Sequence, residues 1–320
     1  MVGFPSRRLA VGLFICGVVL GACKKDEPGK SGGDNGAAGG ANGDLGLIPV
    51  DSDLVLGLNL AQARDSALYR DFVMPSLTKN GKLQALIEKL KTKCGFDPMT
   101  AVSSMTLGLK SDGEGVAVVH GLEKAKALPC VDQVKDELAQ GKVEVTKDGD
   151  VVLAKGDRPG DTAAVTFVDD KTALFVFGPK ANKAGALEVA QGKSALSSSK
   201  EFTSMYGQLR TGDTVWGVLK GSAEPLASQL EKLNVKSTAV FGSASVKDGL
   251  AIDLRMRVES EDQAQNVAKL IGSQVAGFEQ FADKVEIGSD KADVRFQVSF
   301  TPEKLKTVLG FVGPMFRGRM

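Results

Sequence analysis

The stretch "LAIDLRMRV" at residues 250–258 alternates apolar and charged side chains from its third residue onward, and this period of two restricts it to an extended strand. The apolar set is Ile252, Leu254, Met256 and Val258, and the charged set is Asp253, Arg255 and Arg257. One apolar and one charged face are typical of an antiparallel sheet that packs on a core and also meets water. The stretch "VRFQVSF" at 294–300 follows the same pattern. We therefore expect antiparallel strands here, with the apolar side chains inward.

Three Asp-Gly pairs mark tight turns between strands. They are Asp112-Gly113, Asp148-Gly149 and Asp248-Gly249. Asp-Gly is favoured in two-residue hairpin turns because glycine adopts positive φ without steric cost. Each pair therefore predicts a β-hairpin, and the pair at 148–149 belongs to an extra hairpin, "DGDVVLAK", in the first half of the chain.

Two helix starts are marked by capping sequences. Ser260 followed by Gln263 fits a capping box, and Thr301 places a hydroxyl before a proline at the first helical position. Apolar residues at helical spacing then predict one buried helix face: Val267, Leu270, Ile271, Val275 and Phe278. Such helices cover the apolar face of a sheet, so the predicted fold class is α+β.

The sequence after residue 47 echoes itself in three places. "DLVLGLNL" at 53–60 is echoed by "DTVWGVLK" at 213–220, "KVEV" at 142–145 by "KVEI" at 284–287, and "DDKTALFVFGPKANK" at 169–183 by "SDKADVRFQVSFTPEK" at 289–304. Short echoes also arise by chance, but these three keep the same order. We predict two related units of antiparallel sheet covered by helices, at 47–210 and 211–320.

The first residues have the features of a secretory signal peptide. Arg7 and Arg8 precede an uncharged apolar run from Leu9 to Leu20, and the small residues Gly21 and Ala22 follow it. The run is shorter than the roughly 20 apolar residues that a membrane-spanning helix needs. We therefore predict a cleaved signal peptide at residues 1–22.

The sequence Leu20-Gly21-Ala22-Cys23 resembles the lipobox of bacterial lipoproteins. This resemblance implies a diacylglyceryl thioether on Cys23, cleavage just before it and acylation of the new amino group. Two or three acyl chains anchor a protein firmly, whereas one anchors it only marginally. Lys24 follows instead of the aspartate that retains many lipoproteins in the inner membrane, which implies an outer-membrane location. An ordinary secretory signal with a chance cysteine is the alternative.

The segment after Cys23 has the composition of a flexible tether. Residues 24–44 contain no β-branched and no aromatic side chain and are dominated by Gly, Ala, Asn, Asp and Lys. Such a segment cannot bury enough apolar surface to offset the entropy lost on ordering. We predict a lipid anchor and glycine-rich tether at residues 23–46.

Two of the four cysteines remain for the folded part. Cys16 lies in the predicted signal peptide and Cys23 is the predicted lipid site, which leaves Cys94 and Cys130. In an oxidising compartment such a pair predicts a disulfide, worth about 4 kcal/mol in the chain-entropy model. Two buried free thiols are the alternative. A zinc site is disfavoured because His120 is the only histidine.

No residue pattern indicates a catalytic centre. His120 falls in a predicted strand, and the pairs Asp51/Asp53, Asp148/Asp150 and Asp169/Asp170 fall at predicted turns. Ser199 next to Lys200 offers a nucleophile and an amine, but the site has the sequence of a helix N-cap. A net charge of +1 gives no indication of a nucleic-acid partner. We predict no metal and no cofactor.

These features together predict a lipid-anchored protein of the bacterial cell envelope. The folded part is loosely similar to uncharacterised, repeat-containing envelope lipoproteins, and this resemblance implies no activity. We expect a non-catalytic module that binds another envelope protein or an apolar ligand. An enzyme of unknown, possibly hydrolytic, reaction and a purely structural spacer remain alternatives.

Overall fold

The computed structural model describes residues 43–75, 81–140, 142–158, 160–193, 195–223, 227–228, 235–275, 277 and 279–317. The described chain forms two compact units. Unit 1 contains the described residues up to Ala61 together with Phe72–Thr203, and unit 2 contains Gln62–Asp71 together with the described residues from Ser204 on. The predicted signal peptide lies outside the described residues.

Unit 1 is built on an antiparallel sheet. Its strands are β1 Leu54–Asn59, β2 Ser104–Leu109, β3 Gly115–His120, β4 Glu144–Asp148, β5 Val151–Lys155, β6 Thr162–Phe167 and β7 Thr172–Phe177. Their order is β1-β2-β3-β7-β6-β5-β4, and each neighbouring pair is antiparallel. The predicted extra hairpin is formed by β4 and β5.

The core of unit 1 lies around the two central strands. β3 and β7 are buried along almost their whole length, and Ala117, Val119 and Phe175 form a cluster with Val102. Both strands are nearly continuous apolar runs, which is typical of strands covered on both faces.

Unit 2 is built on a second run of antiparallel strands. They are β8 Val215–Lys220, β9 Ser237–Ser245, β10 Leu250–Val258, β11 Lys284–Asp290 and β12 Asp293–Phe300, in the order β8-β9-β10-β12-β11. All neighbouring pairs are antiparallel. The α+β class with antiparallel sheet, predicted from the alternation and the turns, is therefore confirmed.

Helices connect and cover the strands. In chain order they are α1 Leu60–Asp65, α2 Gly81–Cys94, α3 Pro98–Ala101, α4 Lys124–Gln140, α5 Lys183–Ala190, α6 Lys200–Tyr206, α7 Glu261–Val275 and α8 Pro302–Arg317, with a π-helical turn at Tyr69–Val73 and a 3₁₀ turn at Leu196–Ser198. None of the described helices combines the length and apolar character that a membrane span requires.

The local turn and capping predictions are confirmed. Gly113, Gly149 and Gly249 have φ of 89°, 65° and 110°, at the turns of the β2–β3, β4–β5 and β9–β10 hairpins. The Ser260 hydroxyl accepts the Gln263 N–H at 3.2 Å, and the Gln263 side chain accepts the Glu259 N–H at 3.1 Å, one residue before the predicted position. Helix α8 begins at Pro302, as predicted.

The predicted faces of β10 need a correction. Asp253, assigned to the water-facing side, is only 9% exposed, whereas Leu254, assigned to the core, is 41% exposed. Asp253 is buried because Arg295 and Gln297 of the neighbouring strand donate hydrogen bonds to it, at 3.1 and 2.7 Å. Helix α7 packs instead near Val258 and Val294, away from Leu254.

Two further assignments differ from the sequence prediction. Leu270, predicted on the buried face of α7, is 47% exposed, and the side chain of Phe278 lies outside the described residues. Residues 43–46, assigned to the tether, belong to unit 1: Asp44 is 4% and Leu45 3% exposed.

Candidate functional site

A cavity of about 190 Å³ opens within unit 1. Its walls come from the segment that precedes β1, from the ends of β2, β3 and β7 at the β2–β3 turn, and from α5 with the loop that follows it. The lining residues are Gly46, Leu47, Pro49, Val50, Asp51, Ser52, Lys110, Glu114, Gly115, Val116, Val176, Phe177, Lys180, Glu188, Val189, Gly192, Lys193 and Ala195. Segments far apart in sequence therefore meet around one cavity.

The floor of the cavity is apolar. Val116 and Val176 face each other across the β3–β7 ladder and are 2% and 1% exposed. Val189 of α5 and Val50 of the segment before β1 add apolar surface to the lining. Directly opposed residues in a sheet point to the same face. The β3–β7 pair therefore places the side chains of Val116 and Val176 next to each other on one face, and these two form the floor.

Charged side chains surround the apolar floor. Lys110 donates to Asp51 at 2.5 Å and lies 3.4 Å from Glu114, and Lys180 lies 3.4 Å from Glu188. The hydrogen bond to Asp51 raises the pKa of Lys110 above its ordinary value, although burial opposes the rise. Lys110 is therefore a fixed positive charge held between two carboxylates.

Lys193 differs from the other lysines at the cavity. It is exposed, and no carboxylate of the described residues lies within ion-pair distance of it. A ligand with an apolar body and a polar or anionic head would place the body on the valine floor and the head beside Lys193. The size suits a small molecule, since an engineered apolar cavity of about 150 Å³ binds benzene.

The half-buried side chain of His120 forms a hydrogen-bond cluster near this region. Its Nε2 lies 2.8 Å from Oδ1 of Asp44, and its Nδ1 lies 3.2 Å from the Thr172 hydroxyl. The second oxygen of Asp44 accepts the Thr106 hydroxyl at 2.6 Å. The hydrogen bond to Asp44 raises the pKa of His120, burial opposes the rise, and the charges of Asp44 and Asp169 add to it.

The predicted cysteine pair is present. Cys94 at the end of α2 and Cys130 in α4 are joined as a disulfide, with their Cα atoms 4.9 Å apart. Cys130 packs with Leu90 and Val134 between these helices. The disulfide is thus part of a small helical core and away from the cavity lining. Cys23, the predicted lipid site, lies outside the described residues.

The other residues considered for chemistry have structural surroundings. Ser199 accepts the Phe202 N–H at 3.2 Å and so caps α6. Asp148 and Asp150 pair with Lys183 and Lys124, at 2.6 and 2.8 Å. Asp169 and Asp170 lie exposed in the β6–β7 turn. Among the described residues, no three His, Cys, Asp or Glu side chains come close enough to hold a metal ion.

Neither the cavity nor the role of Asp44 follows from the sequence patterns described above. One signal was available, because "LGLIPV" at 45–50 ends the glycine-rich segment with an apolar cluster. Comparison with protein-family models, curated proteins and solved structures finds no match to the chain.

Proposed function

We propose that this chain is a lipid-anchored protein of the bacterial cell envelope and that its folded part is a non-catalytic binding module. The observation that carries the binding function is the cavity of unit 1. It combines a rigid apolar floor with a few charged groups at its edge, which is the usual composition of a small-molecule site. Its ligand class is a small amphipathic molecule.

The size and lining of the cavity set the expected affinity. A volume of about 190 Å³ accommodates only a few carbon atoms beyond a polar head. At about 0.8 kcal/mol per buried methylene, a six-carbon probe gains about 5 kcal/mol at most, and the cost of association then leaves a Kd of about 1 mM or weaker. Such binding is measurable by NMR.

The direct test is a titration with 1-hexanol and with hexanoate. We expect saturable shifts of the backbone amide signals of Gly46, Gly115 and Gly192, with hexanoate favoured by the charge of Lys193. Val189→Trp fills the cavity from α5 and should abolish the shifts. Leu187→Trp, at an exposed position of the same helix, is the matched control and should leave them intact. Equal binding by both variants would contradict the site.

The lipid anchor is proposed from the lipobox resemblance. Replacing Cys23 with Ser should abolish labelling by a tagged fatty acid and leave the precursor either unprocessed or soluble. In a source with two membranes, the unchanged protein should fractionate with the outer membrane. Undiminished lipid label in the Cys23→Ser variant would refute the anchor while leaving the cavity unaffected.

We also propose that the two units arose by duplication, and the strand orders support this. The order β8-β9-β10-β12-β11 in unit 2 corresponds to β1-β2-β3-β7-β6 in unit 1. A helix follows the third of these strands in both units, and in unit 1 the extra hairpin β4–β5 stands between that helix and β6. "DLVLGLNL" and "DTVWGVLK" then occupy corresponding strands, β1 and β8. On this correspondence "KVEV" and "KVEI" do not occupy equivalent strands, because β4 belongs to the extra hairpin and β11 corresponds to β6.

An enzyme is the second candidate, and the His120–Asp44 pair is the observation that favours it. A carboxylate beside an imidazole is the arrangement of a general base. Both ring nitrogens are already engaged, by Asp44 and Thr172, which disfavours proton transfer to a substrate. A screen with hydrolase substrates distinguishes the two functions. Turnover by the unsubstituted protein that is lost in His120→Gln, with the fold retained, would favour the enzyme. If neither turnover nor binding is found, a structural spacer remains.

A further inference from the structure

The segment between the predicted tether and β1 lies across unit 1 as a strap, which we define as residues 44–52. Its buried side chains are Asp44, Leu45, Ile48 and Ser52, with exposures of 4%, 3%, 0% and 3%. The Leu196 N–H donates to the Ile48 carbonyl at 2.7 Å, and the Ser197 N–H donates to the Leu45 carbonyl at 3.1 Å. The strap is therefore held on unit 1 both by buried side chains and by backbone hydrogen bonds.

The same strap forms one wall of the cavity. Every residue from Gly46 to Ser52 except Ile48 lines it, and Ile48 lies fully buried beneath. Removing the strap would leave the valine floor open along that side. The cavity therefore exists as a cavity only while the strap is docked.

Two glycines allow the strap to lie close to the unit. A Cβ on Gly108 of β2 would collide with the Ile48 side chain and come within 2.8 Å of the Ser52 hydroxyl. A Cβ on Gly192, which has φ of 65°, would approach the Gly46 carbonyl to 2.5 Å. Both positions admit only glycine at this distance, so the close fit of the strap depends on them.

The start of the strap is held by the His120 cluster. Asp44 receives hydrogen bonds from His120 of β3 and from Thr106 of β2, which join the first strap residue to two strands of the sheet. We infer that His120 is a positioning residue for ligand binding: its bond to Asp44 docks the strap, and the docked strap completes the cavity. This inference rests on the proposed function of the cavity.

The charge of His120 should make strap docking depend on pH. The charged groups facing its ring are Asp44 of the strap and Asp169 of the β6–β7 turn. Both favour the imidazolium, so the folded-state pKa lies above the ordinary value of about 6.5. The stabilisation is then complete below about pH 6.5 and is lost as the pH rises through the raised pKa.

Amide hydrogen exchange of the strap tests docking without any ligand. The protein is the full chain carrying Cys23→Ser, and protection factors are corrected for the intrinsic rate at each pH. We expect the Leu47, Ile48 and Ser52 amides to lose protection at least tenfold in His120→Ala. His120→Gln, which keeps a neutral donor for Asp44, should restore part of the protection and remove its pH dependence. Unchanged protection in His120→Ala would overturn the inference.

A second variant reaches the strap from the opposite side and leaves His120 untouched. Gly108→Ala should displace Ile48, expose the strap amides and weaken 1-hexanol binding at least fivefold. Gly288→Ala is the matched control, since nothing lies within 4 Å of a Cβ at that strand glycine. Lost strap protection with unchanged hexanol binding would refute the coupling but leave the ligand site standing. No hexanol binding in the unsubstituted chain would instead refute the proposed function.

Discussion

Asp253 lies on the charged face of β10 and is nevertheless nearly buried. It accepts hydrogen bonds from Arg295 and Gln297, and Arg255 lies 4.0 Å away. One of its oxygens and the Nε of Arg295 have no hydrogen-bond partner in the described part of the chain. The Asp253 carboxylate and its guanidinium and amide partners therefore link β10 to β12 on this sheet face.

Asp253→Asn should destabilise the protein in a pH-dependent way. Burial raises the pKa of Asp253, but the hydrogen bonds from Arg295 and Gln297 outweigh it, so the folded-state pKa is lowered. Its stabilisation is present above the unfolded-state value of about 3.9 and is lost as the pH falls through the folded-state value. We expect a loss of about 2 kcal/mol at pH 7 that shrinks below pH 4 in urea denaturation.

The exposed Asp290 of β11 provides the control for this prediction. Asp290→Asn should change the free energy of unfolding by less than about 0.5 kcal/mol at either pH. If Asp253→Asn were equally neutral, the buried network would not contribute to stability.

At the level of elements, the glycines of two hairpin turns differ in how closely other backbone atoms surround them. Gly249 in the β9–β10 turn has φ of 110°, and a Cβ there would collide with the Phe300 carbonyl. Gly149 in the β4–β5 turn has φ of 65° and only the end of Lys183 near such a Cβ, at 3.9 Å. Identical Asp-Gly pairs therefore occupy sites of different tightness.

Gly249→Ala should thus cost more than Gly149→Ala. Gly149→Ala introduces only the strain of a left-handed alanine and should lower the free energy of unfolding by about 1 kcal/mol. Gly249→Ala adds a backbone clash to this strain and should lower it by about 2 kcal/mol or more. Thermal and urea unfolding of the two variants measure the difference. Equal costs would show that the β9–β10 turn relaxes freely.

Turns and caps were predictable because their chemistry is local. Asp248-Gly249 and Ser260 with Gln263 carry the whole signal within four residues. Asp44 was assigned to the tether because its partner, His120, lies 76 residues away and no local pattern links them. The cavity likewise has no local sequence signal, because its lining is assembled from residues between 46 and 195. The burial of Asp253 has no local signal either, because its partners Arg295 and Gln297 lie on another strand.

The whole molecule offers one natural probe for each unit. Trp216, the single tryptophan, is 3% exposed in β8 of unit 2 and packs edge-on against Tyr206, and His120, the single histidine, lies in unit 1. Tryptophan emission and the histidine proton resonance therefore report separately on the two units during unfolding.

Removing the disulfide should shift the unfolding transition reported by His120 but not the one reported by Trp216. Cys94→Ala with Cys130→Ala should lower the stability reported by His120 by about 4 kcal/mol, because the cross-link constrains only the unfolded chain of unit 1. The urea midpoint reported by Trp216 should stay within error. A matching shift of both midpoints would show that the two units unfold as one cooperative block.

The position of the strap has a mechanical consequence. If the chain is held at Cys23, as proposed above, tension passed along the predicted tether would reach the described fold at Asp44, at one end of the strap. Force applied there loads the Asp44–His120 hydrogen bond first and the contacts of Ile48 afterwards. The strap contacts therefore break one after another instead of all at once. Peeling needs far less force than shearing several strands together. The first mechanical yield under tension would therefore be the loss of a cavity wall, while the strands behind it remain paired.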